Sequence, residues 1–176
     1  MEAGKLEYQF EELDAATLVR EVAADFQSES GGRSCSIEVA LPEDQALMIR
    51  GDREALSRAL WNLLDNAVKY SPAGCTVQVE LVREANCAAI RVRDRGMGIP
   101  AAEQKEIFKK FVRGSASRDS SAKGAGLGLA MVQHTVRAHK GMVHVDSRPG
   151  EGSTFTILLP AESPAAGQPK AGEEKP

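Results

Sequence analysis

Two asparagines and a lysine recur at helical spacing in the segment Asn62-Leu-Leu-Asp-Asn66-Ala-Val-Lys69-Tyr70. In a helix, residues at positions i, i+4 and i+7 share a face, so Asn62, Asn66 and Lys69 would point the same way, with Tyr70 at the edge of that face. Amide oxygens are hard ligands of the kind that Mg²⁺ accepts, and a lysine one turn further on could neutralise a phosphate. Asparagine is a poor residue for a helix interior, which favours this interpretation over a plain solvated face.

A second segment, Asp94-Arg-Gly96-Met-Gly98-Ile99, follows a run of alternating apolar residues whose parity Asp94 keeps. Its carboxylate should therefore point inward at the end of a strand, where it could accept a hydrogen bond from an adenine amino group. Gly96 and Gly98 would let the backbone pass close beside a base, because neither carries a side chain. Asp-Arg-Gly is also a common turn sequence, so this segment is a weak signal when taken alone.

The third segment, Gly124-Ala125-Gly126-Leu127-Gly128-Leu129, directly precedes a predicted helix. Its free amides and the helix N-terminus could hold phosphates. It is not a P-loop, since no Gly-Lys-Ser/Thr follows, and a polar loop precedes it where a Rossmann fingerprint needs a strand. Taken together, the three segments predict a nucleotide pocket with Mg²⁺ ligands, a base reader and a phosphate cradle.

The elements that must position these segments follow from the hydrophobic pattern. Alternating apolar residues predict strands at residues 6–13, 36–41, 47–50, 77–81, 88–92, 142–147 and 153–159. Asp14 and Asp52 are good N-caps for helices that would run to Phe26 and Tyr70, and two further helices are predicted at residues 101–108 and 127–139. The result is an α+β fold, with a sheet covered on one face by helices.

The chain of 176 residues is long enough for one domain with a real core, which we place at residues 1–160. Residues 111–123 are polar and basic without usable period, which predicts a mobile loop, and residues 161–176 have the composition of a disordered tail. The net charge of −3 argues against a nucleic-acid partner. No apolar segment is long enough to cross a bilayer, so we expect no membrane contact and a cytoplasmic location, although a parent protein could be anchored upstream.

The cysteines and histidines give no separate site. Three cysteines without close spacing fit reduced thiols better than a disulfide framework or a zinc site. His134, His139 and His144 lack acidic neighbours or metal partners at ligand spacing, so we interpret all three as surface or structural residues.

These three segments are similar to the motifs of a known family. The chain resembles the catalytic ATP-binding domain of two-component sensor histidine kinases, in the wider group that includes Hsp90, type II topoisomerase and MutL ATPases. The segment from Asn62 to Tyr70 resembles the N box, and the segment from Asp94 to Ile99 resembles the first glycine box. The remaining similarities are Ile107-Phe108 and Phe111-Val-Arg113 to the phenylalanine box, Gly124 to Leu129 to the second glycine box, and Gly150-Glu-Gly152-Ser-Thr154-Phe155 to the last glycine turn.

This resemblance implies a two-layer α/β sandwich of the Bergerat type, with a mixed, mostly antiparallel sheet, that binds ATP and Mg²⁺. Asn66 would coordinate the metal, Asn62 would assist and Lys69 would contact phosphate. Tyr70 and Ile99 would lie near the nucleotide, and Asp94 would bind the adenine amino group with Thr154 nearby. Arg113 and the segment from Gly124 to Leu129 would flank the phosphates, with residues 112–126 as a flexible lid, and Phe111 would be a further ATP-binding residue. Ala125 departs from the family, which often has a polar residue there.

The resemblance also bears on the reaction. A sensor kinase has its phosphoacceptor histidine on a dimerisation helix, usually followed by Glu or Asp, and none of the histidines of this chain fits that pattern. We therefore expect a monomeric catalytic domain that acts on a histidine-bearing dimerisation domain, in the parent chain or in trans, ahead of a response regulator. A related ATPase would carry a general-base Glu at position 62, where Asn62 cannot accept a proton. A serine kinase of the anti-sigma-factor type and a non-catalytic nucleotide-sensing module are the remaining alternatives.

Overall fold

A computed structural model of the chain describes residues 7–29, 35–42, 46–109 and 126–162. In chain order its elements are β1 (Glu11–Asp14), α1 (Ala15–Glu29), β2 (Ser36–Ala40), β3 (Met48–Gly51), α2 (Arg53–Lys69), β4 (Thr76–Glu84), β5 (Cys87–Asp94), a 3₁₀ turn (Glu106–Phe108), α3 (Gly128–Ala138), β6 (Met142–Arg148) and β7 (Gly152–Pro160). The predicted α+β class is confirmed.

Five strands form one sheet in the order β2-β4-β5-β7-β6. β2 pairs with β4 in parallel, and the other neighbours pair antiparallel. β1 and β3 form a separate antiparallel pair. In β4 and β5 the alternating residues Val77, Val79, Leu81, Ile90 and Val92 are buried, as their spacing predicts. The sheet is therefore mixed and mostly antiparallel.

The helices cover one face of this sheet, with α2 packed between α1 and α3. Asp52 caps α2 by accepting a hydrogen bond from the Ala55 N–H at 2.9 Å. Asp14 caps α1 in the same way, through bonds from the N–H groups of Ala16 and Thr17. The apolar stripe of α2 is buried and comprises Leu56, Ala59, Leu60, Leu63, Leu64, Ala67 and Val68. Its polar residues are thereby left at the border of the core.

Two predicted elements differ from the structure. Residues 101–108 form turns and the single 3₁₀ turn, because their hydrogen bonds mostly span three residues, as from the Glu106 N–H to the Glu103 carbonyl. The predicted strand at residues 6–13 is described from residue 7 and is paired only from Glu11 to Asp14, because its partner β3 is four residues long. Just before β1, the N–H of Gln9 donates to the side chain of Asp52 at 2.7 Å.

The described residues after position 160 are bonded to the rest of the domain. The N–H of Ala161 donates to the Asn86 carbonyl at 2.8 Å, and the N–H of Glu162 donates to the Met48 carbonyl at 2.9 Å. The rest of the predicted tail lies outside the described residues. No described helix combines the length and the apolar character that crossing a membrane requires.

The expectation of reduced thiols is wrong for two of the three cysteines. Cys35 and Cys75 form a disulfide with their Cα atoms 4.8 Å apart. The parallel register that pairs Ser36 with Thr76 brings the two preceding cysteines side by side. Because this pairing joins segments 40 residues apart, cysteine spacing gives no signal for it. Cys87 is free.

Candidate nucleotide site

The polar face of α2 carries four half-buried side chains, those of Asn62, Asp65, Asn66 and Lys69. The predicted alignment of the two asparagines and the lysine on one face is therefore present. Lys69 Nζ lies 2.5 Å from Asp65 Oδ2, with the two side chains 27% and 26% exposed. Asp65 was not among the predicted site residues, although its spacing of four residues from Lys69 is a readable signal for an ion pair.

The carboxylate of Asp94 lies at the end of β5, and the residue is only 6% exposed. Burial raises the pKa of this carboxyl above its ordinary value, because burial disfavours the charged form. The backbone N–H groups of Gly96 and Ser153 donate hydrogen bonds to the carboxylate and act in the opposite direction, the first at 2.8 Å. The inward orientation predicted from strand parity is confirmed.

The loop after Asp94 lies directly against the turn between β6 and β7. Gly98 has a φ of +71°, and a Cβ atom there would lie 1.9 Å from the Arg148 carbonyl oxygen. The N–H of Gly150 donates to the Met97 carbonyl at 2.7 Å. Gly98 is thus required both by its backbone conformation and by the close approach of a second backbone.

Two side chains that the sequence did not single out hold the same loop. The Ser147 hydroxyl accepts a hydrogen bond from the Ile99 N–H at 2.8 Å. The side-chain amide of Gln104 donates to the carbonyls of Ile99 at 3.0 Å and Ser147 at 2.8 Å. Because both residues contact Ile99 through its backbone, the loop is fixed on two sides.

The Asp94 loop also meets the C-terminal end of α2. The N–H of Met97 donates to the Tyr70 carbonyl at 3.3 Å. A Cβ atom at Gly96 would lie 2.4 Å from that same oxygen, so only glycine fits there. The first two predicted segments, which are separated by more than 20 residues in the sequence, are therefore in contact.

The start of α3 borders the other end of the polar face of α2. A Cβ atom at Gly128 would lie 3.5 Å from Asn62 Oδ1, so the third segment approaches this asparagine. Gly126 has a φ of +68°, Leu127 is exposed and Leu129 packs against the core. Four predicted site residues lie outside the described residues, namely Phe111, Arg113, Gly124 and Ala125. The predicted lid at 112–126 also lies outside them, except for Gly126.

The strand register separates Thr154 from Asp94. Thr154 pairs with Arg93, whereas Asp94 pairs with Ser153. Since directly paired residues share a face of the sheet and successive residues alternate, Thr154 faces the side opposite to Asp94. Ser153 takes the place beside Asp94, and its hydroxyl lies 2.8 Å from that of Ser147.

The donor chemistry of the α2 face fits a hard cation. The side chains of Asn62, Asp65 and Asn66 offer amide and carboxylate oxygens, which Mg²⁺ accepts together with water and phosphate ligands. Within the described ranges, no group of three or more His, Cys, Asp or Glu side chains could hold a metal ion. A cation at this face would therefore depend on the amides and on oxygens of the nucleotide.

Comparison with known proteins agrees with this geometry. Residues 51–163 match the family described as histidine kinase-, DNA gyrase B- and HSP90-like ATPase. The sensor-like histidine kinase SenX3 of Mycobacterium tuberculosis is 39% identical over 150 residues, which are 85% of this chain and 36% of SenX3. The adaptive-response sensory kinase SasA of a Synechococcus strain is 34% identical over 159 residues, 90% of this chain and 41% of its own length.

Solved structures of sensor histidine kinases are also similar to this chain. The mycobacterial sensor histidine kinase MprB has a TM-score of 0.73 at 30% identity, over 87% of this chain and 98% of that one. Full-length ShkA in complex with AMPPNP has a TM-score of 0.77 at 28% identity, over 92% of this chain and 33% of that one.

The chain therefore belongs to the histidine kinase-, DNA gyrase B- and HSP90-like ATPase family. Within this family it is similar, over 85–90% of its length, to the sensor histidine kinases SenX3 and SasA. The chain spans little more than a third of the length of the curated relatives that it matches, 36% of SenX3 and 41% of SasA.

Proposed function

We propose that this domain binds ATP with Mg²⁺ and transfers the γ-phosphoryl group to a histidine on a dimerisation domain. The observation that carries the proposal is the contact between the Asp94 loop and Tyr70 at the end of α2. This contact brings a buried carboxylate that can read a base next to a helix face that can hold phosphates. The match to sensor histidine kinases supports the direction of the transfer.

The base would be held by Asp94. An ionised carboxylate accepts hydrogen bonds only, and the adenine amino group is a donor, so the two are complementary. The N–H groups of Gly96 and Ser153 hold the carboxylate in place. Gly98 allows this loop to lie directly against the Arg148 carbonyl.

The phosphates would lie along the polar face of α2. Asn66 is the proposed main metal ligand, Asn62 assists it, and Lys69 contacts a phosphate oxygen in exchange for part of its pairing with Asp65. Mg²⁺, when bound with the nucleotide, neutralises phosphate charge and orients the terminal phosphoryl group. Arg113, Gly124 and Ala125 remain predicted phosphate-flanking residues, Phe111 remains a predicted ATP-binding residue, and the lid remains predicted at 112–126.

Transfer is favoured over hydrolysis by the residue at position 62. The side chain of Asn62 cannot take a proton from water, so it cannot serve as a general base. Phosphoryl transfer depends mainly on positioning and on neutralising charge, which the amides, Lys69 and the N-terminus of α3 supply. In the proposed step the acceptor imidazole nitrogen attacks the γ-phosphorus, the bond to the β,γ-bridging oxygen breaks, ADP leaves and the imidazole loses a proton.

The partners follow from the chemistry of the product. A phosphohistidine would pass its phosphoryl group to a response regulator, and the histidine itself would lie on a dimerisation domain of the parent protein or of a separate chain. The relatives SenX3 and SasA are longer than this chain, and we propose these two partners for the chain on the basis of its similarity to them. We propose that the isolated domain is monomeric.

A transfer assay in trans tests the function. The chain is mixed with ATP labelled at the γ-position, Mg²⁺ and a separate histidine-bearing dimerisation domain. We expect acid-labile, alkali-stable phosphate on the partner and none when Asp94→Asn replaces the wild type. Acid-stable phosphoserine on a partner, or rapid ATP turnover without any partner, would contradict the proposal.

A further inference from the structure

His139 follows the last residue of α3, is 3% exposed, and uses both of its ring nitrogens. Its Nε2 accepts a hydrogen bond from the backbone N–H of Asp52 at 2.9 Å, so this nitrogen carries no proton. Its Nδ1 lies 2.7 Å from the Thr135 carbonyl and must be the donor in that bond. The contacts therefore require one neutral tautomer of the ring, protonated at Nδ1.

The two bonds of His139 join the helices that carry the candidate site. Asp52 caps the start of α2, and His139 lies at the end of α3, whereas Asn62 further along α2 lies beside Gly128 at the start of α3. The two helices are thus antiparallel neighbours. His139 holds the end of the helix pair at Asp52. This end lies about 15 Å from Asn62, which would face the phosphates, because each helical residue adds about 1.5 Å.

The space around the ring is closed on two sides. A Cβ atom at Gly51 would lie 2.8 Å from His139 Cδ2 and 2.6 Å from Leu56 Cδ1. The aromatic rings of Tyr8 and Phe10 pack against the imidazole with centroid distances of 5.4 and 4.9 Å. The imidazole is therefore fixed in position as well as in tautomer.

A small cavity borders both Thr135 and Asn62. It has a volume of about 30 Å³ and lies between α2 and α3, where Tyr8, Asn62, Met131 and Thr135 contribute to its wall. Thr135 supplies the carbonyl that binds His139, and Asn62 is a proposed metal-assisting residue. α2 and α3 are in direct contact along the pair, and close-packed side chains transmit a displacement from the junction toward Asn62.

We propose that His139 is a positioning residue for nucleotide binding, which sets the alignment of α2 against α3 and acts on ATP only through that alignment. This inference rests on the proposed function. Without the Nε2 acceptor the Asp52 N–H is left without its partner, and the two helices can adopt misaligned arrangements. The apparent ATP affinity then falls in proportion to the fraction of molecules that remain aligned.

Two substitutions separate the hydrogen bonds from the packing of the ring. His139→Phe keeps an aromatic ring against Tyr8 and Phe10 but removes both ring nitrogens. His139→Gln has a side-chain oxygen that can accept from the Asp52 N–H. For His139→Phe we expect ATP binding, measured by calorimetry on the full chain with Mg²⁺, to weaken about tenfold, as when the aligned fraction falls to about one tenth. For His139→Gln we expect affinity close to that of the wild type.

A matched control separates positioning from general stability. Leu81→Ala removes a fully buried side chain of β4 in the five-stranded sheet, and its loss of thermal stability provides the reference. All variants are assayed at a temperature where circular dichroism shows them folded. Unchanged affinity in Leu81→Ala together with weakened affinity in His139→Phe supports the proposal. Equal losses in both, or none in His139→Phe, overturn it.

Further measurements keep the proposal testable if His139→Phe does not fold or if the wild type does not bind ATP. Gly51→Ala displaces the same ring from the opposite side and should weaken ATP binding in the same way. In the wild type, nitrogen NMR of the His139 ring should show Nδ1 protonated and Nε2 free, and the reverse tautomer would overturn the inference. A wild type that fails to bind ATP refutes the proposed function, and the role of His139 in nucleotide binding falls with it, whereas the helix alignment remains testable. The alignment of the two helices by His139 is then tested through the amide resonances of Asn62 and Gly128. These resonances should shift in His139→Phe and in Gly51→Ala, and unchanged resonances contradict the inference.

Discussion

Lys69 and Asp65 form an ion pair one turn apart on α2, with 2.5 Å between Nζ and Oδ2. Both side chains are half-buried and belong to the face that carries the two asparagines. A bound phosphate would therefore compete with an internal carboxylate for this ammonium group. The pair keeps the lysine on the site face before a nucleotide arrives.

We expect Lys69→Ala to weaken ATP binding about tenfold, because a charge-assisted contact to phosphate is lost. Adenosine carries no phosphate, and its affinity should not change. The pair is partly exposed, so the variant should lose no more than about 1 kcal/mol of the free energy of unfolding. Calorimetric titrations with ATP and adenosine measure both affinities. Equal losses for the two ligands would show that Lys69 acts on the fold and not on phosphate.

Asp94→Asn should abolish nucleotide binding without unfolding the domain. The N–H groups of Gly96 and Ser153 would take the amide oxygen, which leaves the NH₂ group facing the adenine amino group, donor against donor. Calorimetry measures the affinity, and circular dichroism checks the fold. Unchanged ATP affinity in a folded variant would refute the assigned role of Asp94.

The protonation of Asp94 should be linked to nucleotide binding. Burial raises the pKa of this carboxyl in the folded state, so the folded protein holds the proton more tightly than the unfolded chain does. The stabilisation from this proton is fully present below the unfolded pKa, about 3.9, and is lost as the pH rises through the raised folded value. ATP should bind the ionised form and lower the pKa, so affinity falls as the pH drops through the raised value. Carbon NMR of the carboxyl with and without saturating ATP measures both pKa values, and a bound value above the free one would contradict this assignment.

Gly98→Ala should be far more damaging than an alanine at another glycine of similar conformation. Gly74 has a φ of +77°, and no atom lies within 4 Å of the place that a Cβ atom would take, so Gly74→Ala should cost only about 1–2 kcal/mol of backbone strain. At Gly98 the same strain is joined by a clash with the Arg148 carbonyl, and we expect a loss of at least about 3 kcal/mol. Urea unfolding compares the two variants, and calorimetry should show lost ATP binding in Gly98→Ala only. Similar losses in both would mean that the loop moves away from Arg148 without cost.

The disulfide should contribute to stability. It closes a separation of 40 residues, and its removal by Cys35→Ser should lower the free energy of unfolding by about 2–4 kcal/mol under oxidising conditions. Cys87→Ser is the matched control, because Cys87 forms no disulfide and its replacement should leave the effect of reductant unchanged. Urea unfolding with and without dithiothreitol measures the difference. A wild type that is insensitive to reductant would contradict the prediction.

The sequence predicted well those features that depend on near neighbours. The caps at Asp14 and Asp52, the polar face of α2 and the inward carboxylate of Asp94 each follow from spacing within one element. The placement of Ser153 rather than Thr154 beside Asp94 depends on the register between two strands, which spacing along one strand does not determine.

Contacts between residues that are far apart in the sequence do not follow from spacing within one element. The interpretation of His139 as a surface or structural residue is confirmed in its structural form, since the residue is buried and both ring nitrogens are bonded. Its partner Asp52 lies 87 residues away in the sequence, so spacing does not identify it. The disulfide follows from a parallel pairing that hydrophobic alternation cannot reveal, because the pattern of a strand does not identify its neighbour. The hydrogen bonds of Ser147 and Gln104 to Ile99 likewise join residues from separate elements, which spacing within one element does not predict.

The position of β7 in the sheet bears on the order of folding. β7 comes last among the described strands in the sequence, yet it lies between β5 and β6 and supplies Ser153 beside Asp94. A chain that is still being synthesised can pair β4 with β5 early, but the proposed base pocket at Asp94 has no second wall until β7 is in place. Contacts between residues so far apart in sequence form slowly. We therefore expect the ability to bind a nucleotide to appear late during synthesis, in a single step, and not to grow gradually with chain length.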